Sequence, residues 1–242
     1  MEGTGGLVGT SLEALGRQYR SVAHNLANAN TVAFKKRKSV FAQVLAEQQR
    51  LGTAEVDPQT VVQETPMTDF AQGALVGTGR TLDVALSSKG FFVVDSPDGP
   101  LYTRKGQFHT NPQGQLVDSV ERLVQGQGGP ITISGGKADQ VRISADGVVS
   151  VAGQNLGKLR VVQFDNESLL APLGNSSFHA GEAVPSDAEQ YAVRQGFCEA
   201  SNVSVVEEMV DLITVTRLYE ANLKSIVAED DRLKQILGVA TA

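Results

Sequence analysis

Between residues 203 and 237 the apolar residues step by four and three: Val205, Met209, Leu212, Tyr219, Leu223, Ile226, Leu233 and Leu237, with Thr216 and Asp230 at the two remaining positions. That spacing predicts the seam of a coiled coil. So narrow a stripe covers only part of a helix, and such a segment pairs with another helix instead of sinking into a globular core. A helix of about 35 residues extends about 52 Å at 1.5 Å per residue, which is long beside a small domain. The opposite end keeps the same alternation more weakly at Val8, Leu12, Leu15, Tyr19, Val22 and Leu26, with Glu13, Arg17 and Arg20 off the seam. Two terminal seams can pair with each other. Neither offers enough apolar surface to offset the conformational entropy of ordering it alone, so both ends are expected to fray in a lone subunit and to order when neighbours cover them.

The first helix is expected to stop near Asn28, because Ala27-Asn28-Ala29-Asn30-Thr31 supplies asparagines that tolerate the left-handed conformation. Lys35-Lys36-Arg37-Lys38 follows, then a Gln-rich stretch and residues 52 to 68 with Pro58 and Pro66, which read as an extended arm. From Phe70 the texture changes to short apolar runs between turn signals. Strands are expected at Gly90 to Val94, Leu101 to Arg104, Gln115 to Val117, Arg122 to Val124, Val141 to Ser144, Val148 to Val151 and Lys158 to Phe164. Asp98-Gly99 and Asp146-Gly147 sit where tight hairpins need positive φ, and Asn111 to Gly114 makes a longer turn. No helical stretch separates these strands, so the sheet should be antiparallel. Residues 165 to 200 read as irregular before the last helix.

The resulting fold class is α+β, mainly β: N- and C-terminal helices pair as a coiled-coil layer, and an antiparallel β domain, a twisted sheet or small barrel, is inserted between them. The expected divisions are an N-terminal helix at 1–34, an arm at 35–69, the β domain at 70–200 and a C-terminal helix at 201–242.

Composition narrows the function. The 242 residues carry 41% hydrophobic residues, enough for a core, but only 5% aromatics and 25 glycines, which suits turns and thin sheets better than a deep enzyme pocket. A net charge of −6 disfavours nonspecific attraction to nucleic acid or anionic lipid. Cys198 is the only cysteine, so no intrachain disulfide or thiolate metal cage is expected, and a buried small residue is its simplest role. No stretch is long and apolar enough to span a membrane, and the start lacks the pattern of a cleaved leader, so membrane insertion is not expected. No nucleophile elbow, phosphate loop or His-Glu-x-x-His helix occurs, and no cofactor is implied. His24, His109 and His179 fall on a predicted helix, strand and loop, which suits surface histidines better than a metal site. The Lys35–Lys38 run reads as a solvated arm that could pair with acidic groups on a neighbour, not as a nucleic-acid patch. Asp230 either fixes the register of the seam or faces a solvated lumen.

Three stretches, Asn25 to Lys35, Phe70 to Arg104 and Gln195 to Asn222, together resemble the bacterial flagellar rod and hook protein family. The first is Asn25-Leu26-Ala27-Asn28-Ala29-Asn30-Thr31 with Phe34-Lys35. The second runs through Phe70-Ala71-Gln72-Gly73, Leu82-Asp83-Val84-Ala85 and Gly90-Phe91-Phe92-Val93-Val94 to Tyr102-Thr103-Arg104. The third is Gln195-Gly196-Phe197, Glu199, Ser201-Asn202-Val203, Glu207-Glu208-Met209 and Tyr219-Glu220-Ala221-Asn222. The likeness is nearest to the distal rod type, with the proximal rod type as near competitor. Ala33 and His24 stand where the family usually has Gly and Asn, and because Ala33 disfavours a positive φ the turn leaving the first helix is expected to differ in shape. The resemblance implies a non-enzymatic subunit, exported uncleaved through the flagellar type III apparatus, that stacks helically on copies of itself and on other rod and hook subunits. It also implies that the terminal helices line the tube, the β domain forms the outer layer and the arm reaches neighbours. A coiled-coil adhesin with a β head and a β-fold enzyme are the competing readings. The first would need a leader and the second a pocket of convergent polar groups.

Overall fold

Short β-branched and aromatic runs fold into short strands here, and the two apolar-periodic ends fold into helices. The computed structural model describes residues 3–39, 66–133 and 140–240, without the side chains of 3–11, 39, 66, 229, 230, 233 and 235–240. Most of the expected arm, together with the seam side chains of Val8, Asp230, Leu233 and Leu237, therefore lies outside what is described. The chain divides into two compact units, one formed by 1–29, 37–69 and 203–242, the other by 30–36 and 70–202.

In the first unit, helix α1 spans Gly3–Ala27 and helix α2 spans Val205–Ala240. The two helices lie against each other, burying Val22 and Asn25 of α1 and Glu208 and Val215 of α2. Asn28 ends α1, donating its side-chain amide to the His24 carbonyl at 2.9 Å and its backbone N–H to the same oxygen at 3.2 Å. Ser204 starts α2, its carbonyl accepting the Glu208 N–H at 3.0 Å, and Glu207 in the first turn suits the positive end of the helix dipole. A two-stranded ladder, Arg37–Ser39 with Pro66–Thr68, completes the unit. Lys38 and Asp69 close an ion pair beside it at 2.7 Å.

The second unit is built on a six-stranded sheet in the order Ala171–Gly174, Ser177–His179, Leu101–Thr103, Phe91–Val94, Val161–Gln163 and Ser186–Asp187. Every pairing is antiparallel. A three-stranded sheet, Val141–Ile143, Val148–Val151 and Gln154–Lys158, and several two-stranded ladders surround it. Both faces of the central strand are buried because its four residues alternate between two cores. Phe92 and Val94 join Leu86, Phe108 and Val161 on one side, while Phe91 and Val93 join Tyr102, Phe164 and Phe178 on the other. Phe91 meets Phe70, Phe164 and Phe178 edge to face at 5.6–6.0 Å between centroids.

Three expectations are corrected. The sheets are open, ending on the edge strands Ala171–Gly174 and Ser186–Asp187, and among the described residues none closes into a barrel. Their strands are two to five residues long, too short to carry the stagger that closure needs. The run from Lys158 to Phe164 is broken, because the carbonyls of Gly147 and Gln125 take up the N–H groups of Leu159 and Arg160. Residues 165 to 200, expected to be irregular, hold five short strands: Ala171–Gly174 makes a local hairpin with Ser177–His179, and the other four pair with strands earlier in the chain. Too short to show alternation, these strands have no local signature. The hairpin turns stand where expected: Gly99 (φ 116°), Gly147 (φ 84°) and Gly114 (φ 78°) take the positive φ that the turns require.

Candidate functional site

A buried ionic cluster in the β unit gathers residues from the three stretches that carry the family resemblance. Lys35 Nζ donates to Glu199 Oε1 at 2.5 Å and to the Ala71 carbonyl at 2.8 Å. Glu199 also accepts the backbone N–H of Gly73 at 3.0 Å and lies 3.5 Å from Arg104 Nη1. Both side chains of the Lys35–Glu199 pair are wholly inaccessible. Burial pulls the Lys35 ammonium below the ordinary lysine value, and Glu199 opposes that shift. Arg104 behaves likewise, lowered by burial and supported by Glu199. It donates to the Ser88 carbonyl at 3.0 Å and lies over the Phe91 ring.

This arrangement corrects the reading of the basic run, for Lys35 is not solvated. Its carboxylate partner 164 positions away lies within the same chain. The expectation of a solvated base rested on the neighbouring charges, which say nothing about the carboxylate the fold brings near.

The cluster pins residues 30–36 into the β unit as a strap. Ala33 donates its N–H to the Glu199 carbonyl at 2.8 Å, and the Ser176 hydroxyl donates to the Val32 carbonyl at 2.9 Å. Asn202 accepts the Lys36 N–H on Oδ1 at 2.7 Å, donates its amide to the Ala71 carbonyl at 3.0 Å, and sends its own N–H to the Phe34 carbonyl at 3.3 Å. Ala33 takes φ 56° and is fully buried, so the turn carries the left-handed strain at that position instead of avoiding it. Gly73 must be glycine, because a Cβ there would lie 2.1 Å from the Ala200 carbonyl oxygen. At Gly90, φ is 126° and a Cβ would meet Val161 at 2.8 Å. Gln72 donates to the Leu86 carbonyl at 2.8 Å.

In the helical unit Asn25 plays the matching part. Its Oδ1 accepts the Arg37 N–H at 2.9 Å, while Nδ2 donates to the Arg37 carbonyl at 2.9 Å and to Glu208 Oε2 at 3.1 Å. Asn25 and Glu208, 183 positions apart, are both buried. The N- and C-terminal signatures thus meet in one polar contact between α1 and α2. Glu208 is buried although its side chain is polar, and its place in the signature is explained by this contact. The sequence shows no sign that Arg104 and Glu199 are a buried pair, because the two lie 95 positions apart and only the fold brings them together. Cys198 is buried as expected, and burial with nearby Asp83 pushes its thiol up to about 12.

The apolar seam positions divide. Val22 is buried, and Leu12, Leu15, Leu26 and Leu212 are half-buried. Tyr19, Val205, Met209, Thr216, Tyr219, Leu223 and Ile226 are exposed in the chain. Facing inward on α2 are Glu208, Leu212, Val215 and Asn222. The inward face has the same four–three rhythm as the predicted seam but is turned along the helix from it.

His24 lies in α1 and His109 in the strand His109–Thr110, bonded to Glu121 at 2.8 Å. His179 is in a strand, not a loop, and accepts the Gly181 N–H on Nδ1. Among the described residues no group of three or more His, Cys, Asp or Glu side chains is placed to hold a metal ion, and no helix is long and apolar enough to cross a membrane.

Comparison with known proteins matches two parts of the chain to family models and nearly its whole length to relatives. Residues 194–239 fit the family model of the flagellar basal body rod FlgEFG protein C-terminal region, and residues 85–151 fit that of the flagellar hook protein FlgE/F/G D1 domain. The chain is 31% identical to flagellar basal-body rod protein FlgG of Buchnera aphidicola subsp. Baizongia pistaciae, across 94% of this chain and 95% of that protein. It is 31% identical to flagellar basal-body rod protein FlgF of Salmonella typhimurium, across 96% and 97%, and 32% identical to FlgF of Caulobacter vibrioides, across 87% and 86%. With the likeness running nearly the full length of this chain and of those relatives, this chain belongs to the flagellar basal-body rod protein family.

Proposed function

We propose that this chain is a structural, non-enzymatic subunit of the bacterial flagellar basal-body rod, and that its copies stack helically into a hollow shaft that transmits torque and encloses the export channel. The end-to-end identity to FlgG and FlgF carries the reading. The exposed apolar row on α2 supports it, because in water such a row is an unmet contact and a neighbouring helix satisfies it. On this reading α1 and α2 pair as a coiled-coil layer around the lumen, the β region 70–200 forms the outer layer and the arm 35–69 reaches neighbouring subunits. Its partners are copies of itself, other rod and hook subunits and the type III export apparatus, and its place is the periplasm-spanning basal body. The buried clasps built by Lys35–Glu199 and Asn25–Glu208 suit a load-bearing part, since each holds a chain segment against slippage. Deleting α2 from Leu223 onward is expected to leave a folded β unit that no longer assembles. A truncate that still enters filaments removes the seam as the assembly element. Localisation along isolated basal bodies reads whether the position is distal or proximal.

A further inference from the structure

A groove crosses the β unit at residues 79–82, where two cavities of about 340 and 380 Å³ share Gly79, Arg80 and Thr81. The first is walled by Arg80 and Arg142, and the second has Leu82 and Phe108 in its lining. Arg142 is exposed and makes no ion pair among the described residues, while Arg80 lies 3.7 Å from the buried Asp83. A cationic rim beside an apolar floor fits a segment that carries a carboxylate next to an aliphatic side chain.

The chain carries such a segment elsewhere in the same unit. Val184 is 81% exposed, more than any other large apolar side chain among the described residues. Glu182, two residues before it, is exposed and makes no ion pair among the described residues. Two residues of chain span at most about 7 Å. Because Arg80 borders both cavities, that reach lets one segment set Val184 over Leu82 and Phe108 and Glu182 at the arginines. The segment cannot fill its own groove. Ala180 and Ala183 pack on the core of Phe91 and Phe178, whereas Leu82, Phe108 and Val141 belong to the core on the other side of the central strand. Complementary patches on opposite sides of one unit meet only between copies, and head to tail, which is the contact type that extends into open stacks.

Resting on the rod-subunit reading, we propose that β units of successive copies dock head to tail, Val184 of one entering the cavity over Leu82 and Phe108 of the next and its Glu182 pairing with Arg80 and Arg142. So small a contact does not hold copies together alone. It sets the register of one β unit on the next.

Disulfide trapping in the full chain tests this. Thr81 lines both cavities, and the native Cys198 is buried. After assembly and mild oxidation, the Thr81→Cys/Val184→Cys variant is expected to run on non-reducing gels as a ladder of dimers, trimers and longer products, and each single variant to give nothing beyond a dimer. The charge pair is read without introduced cysteines, as the critical concentration for assembly in sedimentation at low salt. Arg142→Glu and Glu182→Arg are each expected to raise it about threefold or more, and the double variant to return it within about twofold of wild type. Arg142 is changed and Arg80 kept because Asp83 also uses Arg80. Far-UV circular dichroism of the dilute variants checks that the sheet signal is kept. Assembled double-cysteine protein with no ladder, or a double charge variant no better than the singles, overturns the docking and leaves the rod reading standing. A wild-type chain that stays monomeric at all concentrations overturns both.

Discussion

Ala33 shows how three small terms decide one position. Its left-handed φ of 56° costs about 1–2 kcal/mol for a residue with a Cβ. Its methyl is fully buried, worth about 0.8 kcal/mol, and glycine there would lose about 0.4–1 kcal/mol through a freer unfolded chain. The terms nearly cancel. Ala33→Gly is therefore expected to change stability by less than about 1 kcal/mol in urea unfolding. Ala33→Val adds β-branched strain to overpacking and is expected to cost about 3 kcal/mol or more. Equal losses in the two variants would show that the backbone conformation is not what constrains the site. The buried ion pair works on a larger scale. Among the described residues, Lys35→Met leaves Glu199 with Arg104 and the Gly73 N–H, so a loss of about 3–5 kcal/mol is expected. An unchanged denaturation midpoint would mean that the strap is held by its backbone bonds alone.

At the scale of the element, the last turn of α1 holds a histidine that is partly withdrawn from water. Burial, and then the Arg37 charge, lower the His24 pKa below its ordinary 6.5. Above that pH both folded and unfolded chains hold it neutral, and it contributes no pH dependence. As pH falls below 6.5 the unfolded chain takes up the proton first, so the helical unit loses stability until the folded pKa is passed. His24→Asn is expected to weaken the fall in helix stability between about pH 7 and about pH 5, followed by helical ellipticity during urea unfolding of the assembled protein. Identical pH profiles for the two proteins would remove His24 as the source. The helices also show the limit of periodicity. The four–three rhythm of α2 identifies a pairing helix, yet the face that meets α1 centres on Glu208 and Val215, next to the apolar seam read from sequence. A buried carboxylate is invisible to a count of apolar residues.

For the whole molecule, two units of different character lie on one chain, one β and closely cored, the other helical with much of α2 uncovered. Circular dichroism of a dilute monomer is expected to show sheet with little helix, and helical signal is expected to rise on polymerisation. Full helicity in the dilute monomer would refute folding on assembly. Sequence alone was enough to locate both helices, the antiparallel middle, the glycines at 99, 114 and 147 that turn its hairpins, and the family, because those rest on local spacing and short motifs. Only tertiary structure decided that Lys35 is buried against Glu199, that Asn25 meets Glu208, that residues 30–36 belong with the β unit, and that 165–200 is stranded. The physical reason is reach: periodicity reports the few residues around each position, while the free energy of burying a charge or pairing a two-residue strand depends on partners up to 183 positions away, which only the folded path brings within hydrogen-bond distance.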